Sequence, residues 1–415
     1  MGPVPAFALW LDFRVWRVSS EQDMLQGKVG SWHMDQPIDA PQKNDADILY
    51  GKAEESANGF RWQFRLRDML AVVTVIGVSL ALLTPAVRSA REAARRVQCT
   101  SHLKQMGHGV HNFHDTYRGT PPLALGDARA SMFVLILPFL DAQNIYNLAN
   151  GQNVQQNTTI SGIIDGTATW AVLNSEEREA ASSVNWMHCP SRRSGVQQTP
   201  MNGSSDLYAG PLGDYAVVFL DQDHQRMIPN SIPDPDVSPK TGWHLHQNPC
   251  DSAEVNRQFG AIRLAVIDCE DSTAPDYSKW KPRDTFARMT DGTANTMIVG
   301  EKLLRNGELG KYSATQDDQD GVYWFTSKTG GRNYNVARNI GFALEYDGNY
   351  KRFRRGDKPA SGPHADFGFG SDHQGGVQFL RADGSVTVLG INTDLQLLRR
   401  FGHAQDGLPW ADDEP

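Results

Sequence analysis

Residues 64–117 read FRLRDMLAVVTVIGVSLALLTPAVRSAREAARRVQCTSHLKQMGHGVHNFHDTY and contain the longest apolar segment of this 415-residue chain. No charged residue lies between Asp68 and Arg88. At about 1.5 Å per residue, residues 69–87 of a helix nearly cross a hydrocarbon core of about 30 Å. The alternative is a buried helix in a large core. The length, the sharp charge boundaries and the lack of a second such segment favour one transmembrane helix.

The helix is expected to continue beyond the apolar segment. After Arg88 the sequence is rich in helix formers, and apolar residues recur at alternating spacings of four and three, which predicts one apolar stripe on a polar helix. Pro85 is expected to kink the helix, and Gly119 with the following prolines to end it. The stripe consists of Cys99, Leu103, Met106, Val110, Phe113 and Tyr117.

Composition sets limits on the rest of the chain. The net charge of −8 gives no sign of nucleic-acid binding. Residues 1–60 are polar and proline-containing, which predicts a poorly ordered extension, and residues 405–415 form a tail. No cysteine spacing resembles a zinc site. Of the four cysteines, Cys250 and Cys269 are nearest in sequence and are our candidate disulfide, with unpaired thiols as the alternative.

Residues 119–404 predict a β-rich domain of short strands broken by turn residues. Residues 132–140 predict a buried strand or short helix, and the stretch from Gly151 to Gln198 is polar and predicts loops. Asp383-Gly384 predicts a two-residue hairpin that sets Phe379 opposite Val388. The expected fold class is therefore α+β, with a long N-terminal transmembrane and amphipathic helix packed on an antiparallel, β-rich domain.

Five blocks of the sequence, in order, resemble one bacterial family of type II secretion pseudopilin-like proteins of unknown function, which end in a His-x9-Asp-Gly motif. The motif residues here are His373, Asp383 and Gly384. The resemblance covers about residues 64–402. The blocks are PAVRSAREAARRVQCTSHLKQMG, VLILPFLDAQNIY, HCPSRR, MTDGTANTMIVGE and FGSDHQGGVQFLRADGSVTVL.

The resemblance also implies a pilin-like start to the helix, with Phe64, Asp68 and Pro85 at the family's aromatic, acidic and proline positions. Gln63 stands where the family's cleavage signal has glycine, so we expect an uncleaved anchor. The basic residues on the two sides of the apolar segment are nearly balanced, and the positive-inside rule does not decide orientation. The resemblance implies a single-pass inner-membrane protein with a cytoplasmic N-terminus and a periplasmic C-terminal domain.

Several groups of residues carry side chains suited to catalysis, but we interpret them as structural. His364, Asp372 and His373 are close in sequence and could serve a hydrolase, but we expect His373 to bond the hairpin backbone or to orient Asp383. Glu301 stands in an otherwise apolar strand and, if buried, would need a partner such as Arg288 or Arg305.

Two further groups have side chains that could bind a metal ion. Asp318 and Asp320 in the segment DDQDG form a weak calcium candidate that lacks the downstream glutamate of a complete loop. His108, His111 and His114 diverge around a helix, and we expect them at its surface.

The leading hypothesis is a membrane-anchored, pseudopilin-like structural or assembly protein of the cell envelope or of a secretion apparatus. Its partners would be the bilayer and pseudopilin or secretion-system proteins, with no nucleic acid, no cofactor and no catalysis. The second hypothesis is an exported solute-binding or transport-associated protein. The third is a hydrolase or metal-dependent enzyme.

Overall fold

The computed structural model describes residues 65–126, 129–150, 166–199, 209–220, 250, 258–269, 276–304, 309–310, 321–325, 336–341, 344–347 and 368–407. The expected extension over residues 1–60, Phe64, the acidic pair Asp318 and Asp320, His364 and residues 408–415 of the tail lie outside this part. The chain divides into two units, Met1–Thr74 and Val75–Pro415. In the first unit the structure describes Arg65 and the helical residues that follow it.

The longest element is helix α1, Leu66–Tyr117, which contains Pro85. Every side chain from residue 65 to residue 91 is exposed. Farther along, the predicted stripe is buried from Cys99 to Phe113, while Tyr117 at the end is 48% exposed. The helix ends where Arg118 adopts a left-handed φ of 58°, one residue before Gly119.

Short helices follow: α2 (Met132–Ile136), α3 (Gln143–Ala149), α4 (Gly166–Val172) and α5 (Ser175–Ser182). Three-residue or four-residue 3-10 turns lie at Leu137–Leu140, Asn185–Met187 and Phe286–Arg288. The expectation of loops from Gly151 to Gln198 is therefore wrong where the structure describes this stretch. Helix α5 consists mostly of good helix formers, and Asn174 and Glu177 form a reciprocal capping box at its start.

Nine strands are described: β1 (Tyr215–Phe219), β2 (Val266–Asp268), β3 (Asp276–Lys281), β4 (Met297–Glu301), β5 (Ala337–Asn339), β6 (Glu345–Tyr346), β7 (Gly370–Ser371), β8 (Val377–Arg381) and β9 (Val386–Leu389). Five form one sheet in the order β5-β1-β4-β8-β9. The α+β class is confirmed. This sheet is mixed rather than antiparallel, because β1 pairs with β5 in parallel. Strands β6 and β7 form a separate two-stranded parallel sheet.

The hairpin β8–β9 exists, but its predicted register is wrong by one residue. Phe379 lies opposite Thr387, not Val388. The amide of Gly384 donates to the carbonyl of Arg381, and Gly384 alone of the two turn residues has a positive φ, 85°. These features define a three-residue loop, a type I turn followed by a glycine bulge, instead of the type I′ turn.

The central strands are buried on both faces, which explains the uninterrupted apolar run in β1. One face, with Tyr215 and Val217, packs in the same cluster as the buried stripe of α1 and helix α2. The other face, with Ala216 and Val218, packs against helix α6 (Leu395–Gly402). Helix α6 is capped by Asp394, whose carboxylate accepts from two backbone amides.

Candidate functional site

A buried cluster of four side chains lies where α1 meets the end of strand β4. Cys99 is on α1, Cys189 follows the 3-10 turn Asn185–Met187, Glu301 ends β4, and His373 lies between β7 and β8. The cysteines and Glu301 have no exposed surface, and His373 is 1% exposed. One donor atom from each residue lies within 4.8 Å of the donor atoms of the other three.

The two sulfur atoms and the imidazole nitrogen form a tight triangle. The Sγ atoms of Cys99 and Cys189 are 3.4 Å apart, and the Nε2 atom of His373 lies 3.1 Å from the first and 3.5 Å from the second. The hydrogen bond between the thiols and their burial raise the pKa of Cys189 well above its ordinary value, despite the nearby His373 and Arg192. Without a bound cation, therefore, the sulfur of Cys189 is expected to carry a proton.

Glu92 lies on α1 about two turns before Cys99 and orients His373. Its Oε1 atom lies 2.6 Å from Nδ1 of His373, and the Oγ atom of Ser191 lies 3.3 Å from the same nitrogen. Burial opposes protonation of His373, but Cys189, Glu301 and Glu92 raise the pKa of His373 to about 9. With Nδ1 bonded to Glu92, Nε2 is directed at the sulfur atoms.

Glu301 completes the cluster from the sheet side. Its Oε2 atom accepts from the backbone amide of Gln378 at 2.9 Å. Its Oε1 atom is buried with no hydrogen-bond partner among the described residues, and it lies 3.7 Å from Nε2 of His373. Burial raises the pKa of Glu301, although Arg192 and His373 act in the opposite direction.

The partner expected for Glu301 was wrong. Arg288 instead pairs with Asp284, with 3.5 Å between Nε and Oδ1, and Arg305 lies outside the described residues. The groups that contact Glu301 include His373, the amide of Gln378 and the side chain of Ser371.

The segment HCPSRR, residues 188–193, is held in place by buried ion pairs. Arg193 donates to Asp214 at 2.6 Å, and Asp214 also accepts from the amide of Cys189 at 2.6 Å. Arg192 pairs with Asp347 at 2.5 Å and donates to the carbonyl of Lys302 at 2.6 Å. Each of these charges is nearly fully buried, and the pairing fixes the position of the Cys189 backbone.

The other predicted roles turn out differently. His373 faces the cysteines and does not orient Asp383, whose carboxylate accepts from the amide of Ser385 at 2.8 Å. Asp372 is exposed whereas His373 is buried, and His364 lies outside the described residues. Of the three residues considered for a hydrolase, the structure thus describes one exposed and one buried side chain, at Asp372 and His373. The predicted disulfide pair, Cys250 and Cys269, is joined in the structure with Cα atoms 5.7 Å apart.

The histidines of α1 have packing roles. His111 and His114 both contact the ring of Phe286, at centroid distances of 4.7 and 4.6 Å, and His108 is exposed. A second group of possible metal ligands consists of Asp291, His403 and Asp406. The two carboxylate oxygens of Asp291 already accept hydrogen bonds from backbone amides, at 2.8 and 2.9 Å.

Spacing in the sequence could not reveal the buried cluster. Cys99 and Cys189 are 90 positions apart, and Cys189 and His373 are 184 positions apart. One signal was available. Each of the four residues lies in a different one of the blocks QCTSHLK, HCPSRR, MIVGE and FGSDHQGG, and the cysteine, histidine and glutamate side chains in them suit metal binding.

The fold and the site define an α+β protein with one long apolar helix that could span a membrane by its length and composition. Residues 88–396 match the sequence family described as "Protein of unknown function (DUF1559)". The chain belongs to this family. Neither the curated proteins nor the solved structures contain a significant match to this chain.

Proposed function

We propose that this protein is a membrane-anchored, pseudopilin-like structural protein of the bacterial cell envelope. In this proposal the N-terminal half of α1 lies in the inner membrane and associates with other helices. The α+β domain is held in the periplasm and catalyses no reaction. The observation that carries the proposal is the contrast between the two halves of α1.

The first half of α1 is apolar and covered by nothing in the described chain. No part of its most apolar window is buried. Residues 69–87 include ten Leu, Ile and Val side chains, each of which favours the centre of a bilayer by about 0.3–0.6 kcal/mol. An exposed apolar surface of this size is typical of membrane or protein contact and not of a free surface in water.

The polar side chains of this half are also suited to lipid. The hydroxyls of Thr74, Ser79 and Thr84 each donate to the backbone carbonyl four residues earlier, at 2.7 Å. In a hydrocarbon medium a hydroxyl without a partner would be costly. The helix therefore satisfies these three hydroxyl groups internally.

The second half of α1 is part of the domain. Gly107 allows α1 to approach the hairpin, because a Cβ atom there would lie 3.1 Å from the side chain of Leu380 and 3.3 Å from the Cα atom of Gly384. Gly109 plays the same part toward Ile136 and Leu140. A helix that is docked along one half and bare along the other is the arrangement a pseudopilin-like subunit requires.

Cysteine cross-linking in intact cells tests the proposal. Val73→Cys, in the apolar half, should form oxidised, disulfide-linked species with itself or with cysteine-bearing partner helices. Val388→Cys is the matched control, because Val73 is 65% exposed and Val388, on the domain, is 56% exposed. Equal linking of the two variants, or no linking along residues 69–87, would contradict assembly through the helix.

A further inference from the structure

We propose that Cys99, Cys189, Glu301 and His373 form a closed structural site for a zinc ion. The proposal does not depend on membrane insertion or on the pseudopilin-like function. It rests on the geometry of the donor atoms, on one buried oxygen atom without a partner, and on the groups that surround the four side chains.

Four of the six separations between the donor atoms are close to those of a tetrahedral zinc site, and the two between Glu301 and the sulfurs are at most 4.8 Å. Zinc bonds of about 2.3 Å to sulfur and 2.0–2.2 Å to nitrogen or oxygen separate tetrahedral ligand atoms by roughly 3.3–3.8 Å. The measured separations are 3.4 Å between the sulfurs, 3.1 and 3.5 Å from the sulfurs to Nε2 of His373, and 3.7 Å from Nε2 to Oε1 of Glu301. Binding needs shifts of a few tenths of an ångström along these four separations and a movement of the Glu301 carboxylate toward the sulfurs by up to about 1 Å.

The Oε1 atom of Glu301 supplies the second, independent observation. It is fully buried, lacks a hydrogen-bond partner among the described residues, and faces the cluster. A buried carboxylate oxygen without a partner is costly. A cation bound between this oxygen, the imidazole and the two sulfurs removes that cost.

The surrounding groups have the arrangement found around bound metal ions. Glu92 bonds Nδ1 of His373 at 2.6 Å, which fixes the ring with Nε2 directed at the metal position. The amide of Gln378 holds the other oxygen of Glu301. Two thiolates, one carboxylate and one Zn²⁺ leave a net charge of −1, and the buried Arg192 lies close enough to act on both Cys189 and Glu301.

The donor set selects the metal and the role. Thiolate and imidazole ligands favour zinc over calcium or magnesium, which prefer oxygen. Four protein ligands leave no open position, so the site is structural and not catalytic. The ion would join α1 to the segment HCPSRR, to the end of β4 and to the connection between β7 and β8. It would thus clamp the anchor helix to the domain.

The other chemistry available to the cluster is a disulfide between Cys99 and Cys189, which the experiment distinguishes. The full chain is purified in detergent without chelators, incubated with zinc chloride, dialysed and analysed for metal by mass spectrometry. The expected content is about one zinc ion per chain, with Cys99 and Cys189 as free thiols after denaturation. Replacement of zinc by cobalt(II) should give the absorption spectrum of a tetrahedral thiolate site.

Variants locate the ion. Cys99→Ser and Cys189→Ser should lose the zinc, and Glu92→Gln should weaken zinc affinity by about 10–100-fold while the circular dichroism spectrum stays unchanged. The double variant Cys250→Ser with Cys269→Ser is the matched control and should keep its zinc.

A wild-type chain that binds no zinc, or a peptide map with Cys99 joined to Cys189, would overturn the proposal. The same holds if the control variant loses zinc as fully as Cys99→Ser. The wild-type measurements do not depend on the folding of any variant.

Discussion

The docking of α1 on the domain can be tested by removing one side chain from the buried stripe. Leu103 has no exposed surface and belongs to the main core cluster. Leu103→Ala deletes three carbon atoms. At about 0.8 kcal/mol per buried carbon group the transfer loss is roughly 2.4 kcal/mol, and the cavity left behind raises the expected cost to about 2.5–5 kcal/mol.

The measurement is urea unfolding of the full chain in detergent, monitored by tryptophan fluorescence, to which the buried Trp170 and Trp324 contribute. Val97→Ala is the control on the same helix, because Val97 is 68% exposed and its truncation should change the free energy of unfolding by no more than about 0.5 kcal/mol. If Leu103→Ala and Val97→Ala shift the midpoint equally, α1 does not pack on the domain as described.

Two further predictions concern buried charge. Asp214→Asn removes a carboxylate paired to Arg193 at 2.6 Å and should lower the free energy of unfolding by about 3–5 kcal/mol. The control, Asp268→Asn, removes a carboxylate from a more exposed pair and should lower the free energy of unfolding by about 1 kcal/mol at most. Equal losses of unfolding free energy in the two variants would refute the argument. Burial lowers the pKa of His403, and its Nδ1 accepts from the amide of Gln405 at 2.9 Å. The pKa of His403 in the folded chain therefore lies below its unfolded value of about 6.5. The stability that neutral His403 contributes is lost as the pH falls below about 6.5. His403→Gln should reduce the loss of urea stability on acidification, and an unchanged loss would contradict this.

The sequence predicted the elements whose signal is local. The charge-free run from Met69 to Val87 predicted the exposed half of α1, and the alternating spacing from Cys99 to Phe113 predicted the docked half. Both signals come from side chains within one helix, so no distant part of the chain is needed to interpret them.

Features that depend on alternatives of similar energy were predicted less well. Asp383-Gly384 suits both a two-residue type I′ turn and a three-residue loop with a glycine bulge, and the choice moves every β9 residue by one position. This choice is decided by packing against the rest of the domain.

The candidate site was beyond prediction from spacing, because its four residues come from four separate elements. His373 was singled out from the sequence through its motif, but its partners were sought in the nearby hairpin. Its actual neighbours include Cys99, 274 positions earlier, and Glu92, 281 positions earlier. Only the tertiary fold, in which α1 packs on one face of the sheet, brings these groups together.

Membrane anchoring by α1 is the central claim, and alkaline carbonate extraction of bacterial membranes tests it most directly. The full chain should stay in the membrane pellet after extraction, and a chain that begins at Arg88 should be released into the soluble fraction. Release of the full chain by carbonate, together with the chain from Arg88, would contradict the account.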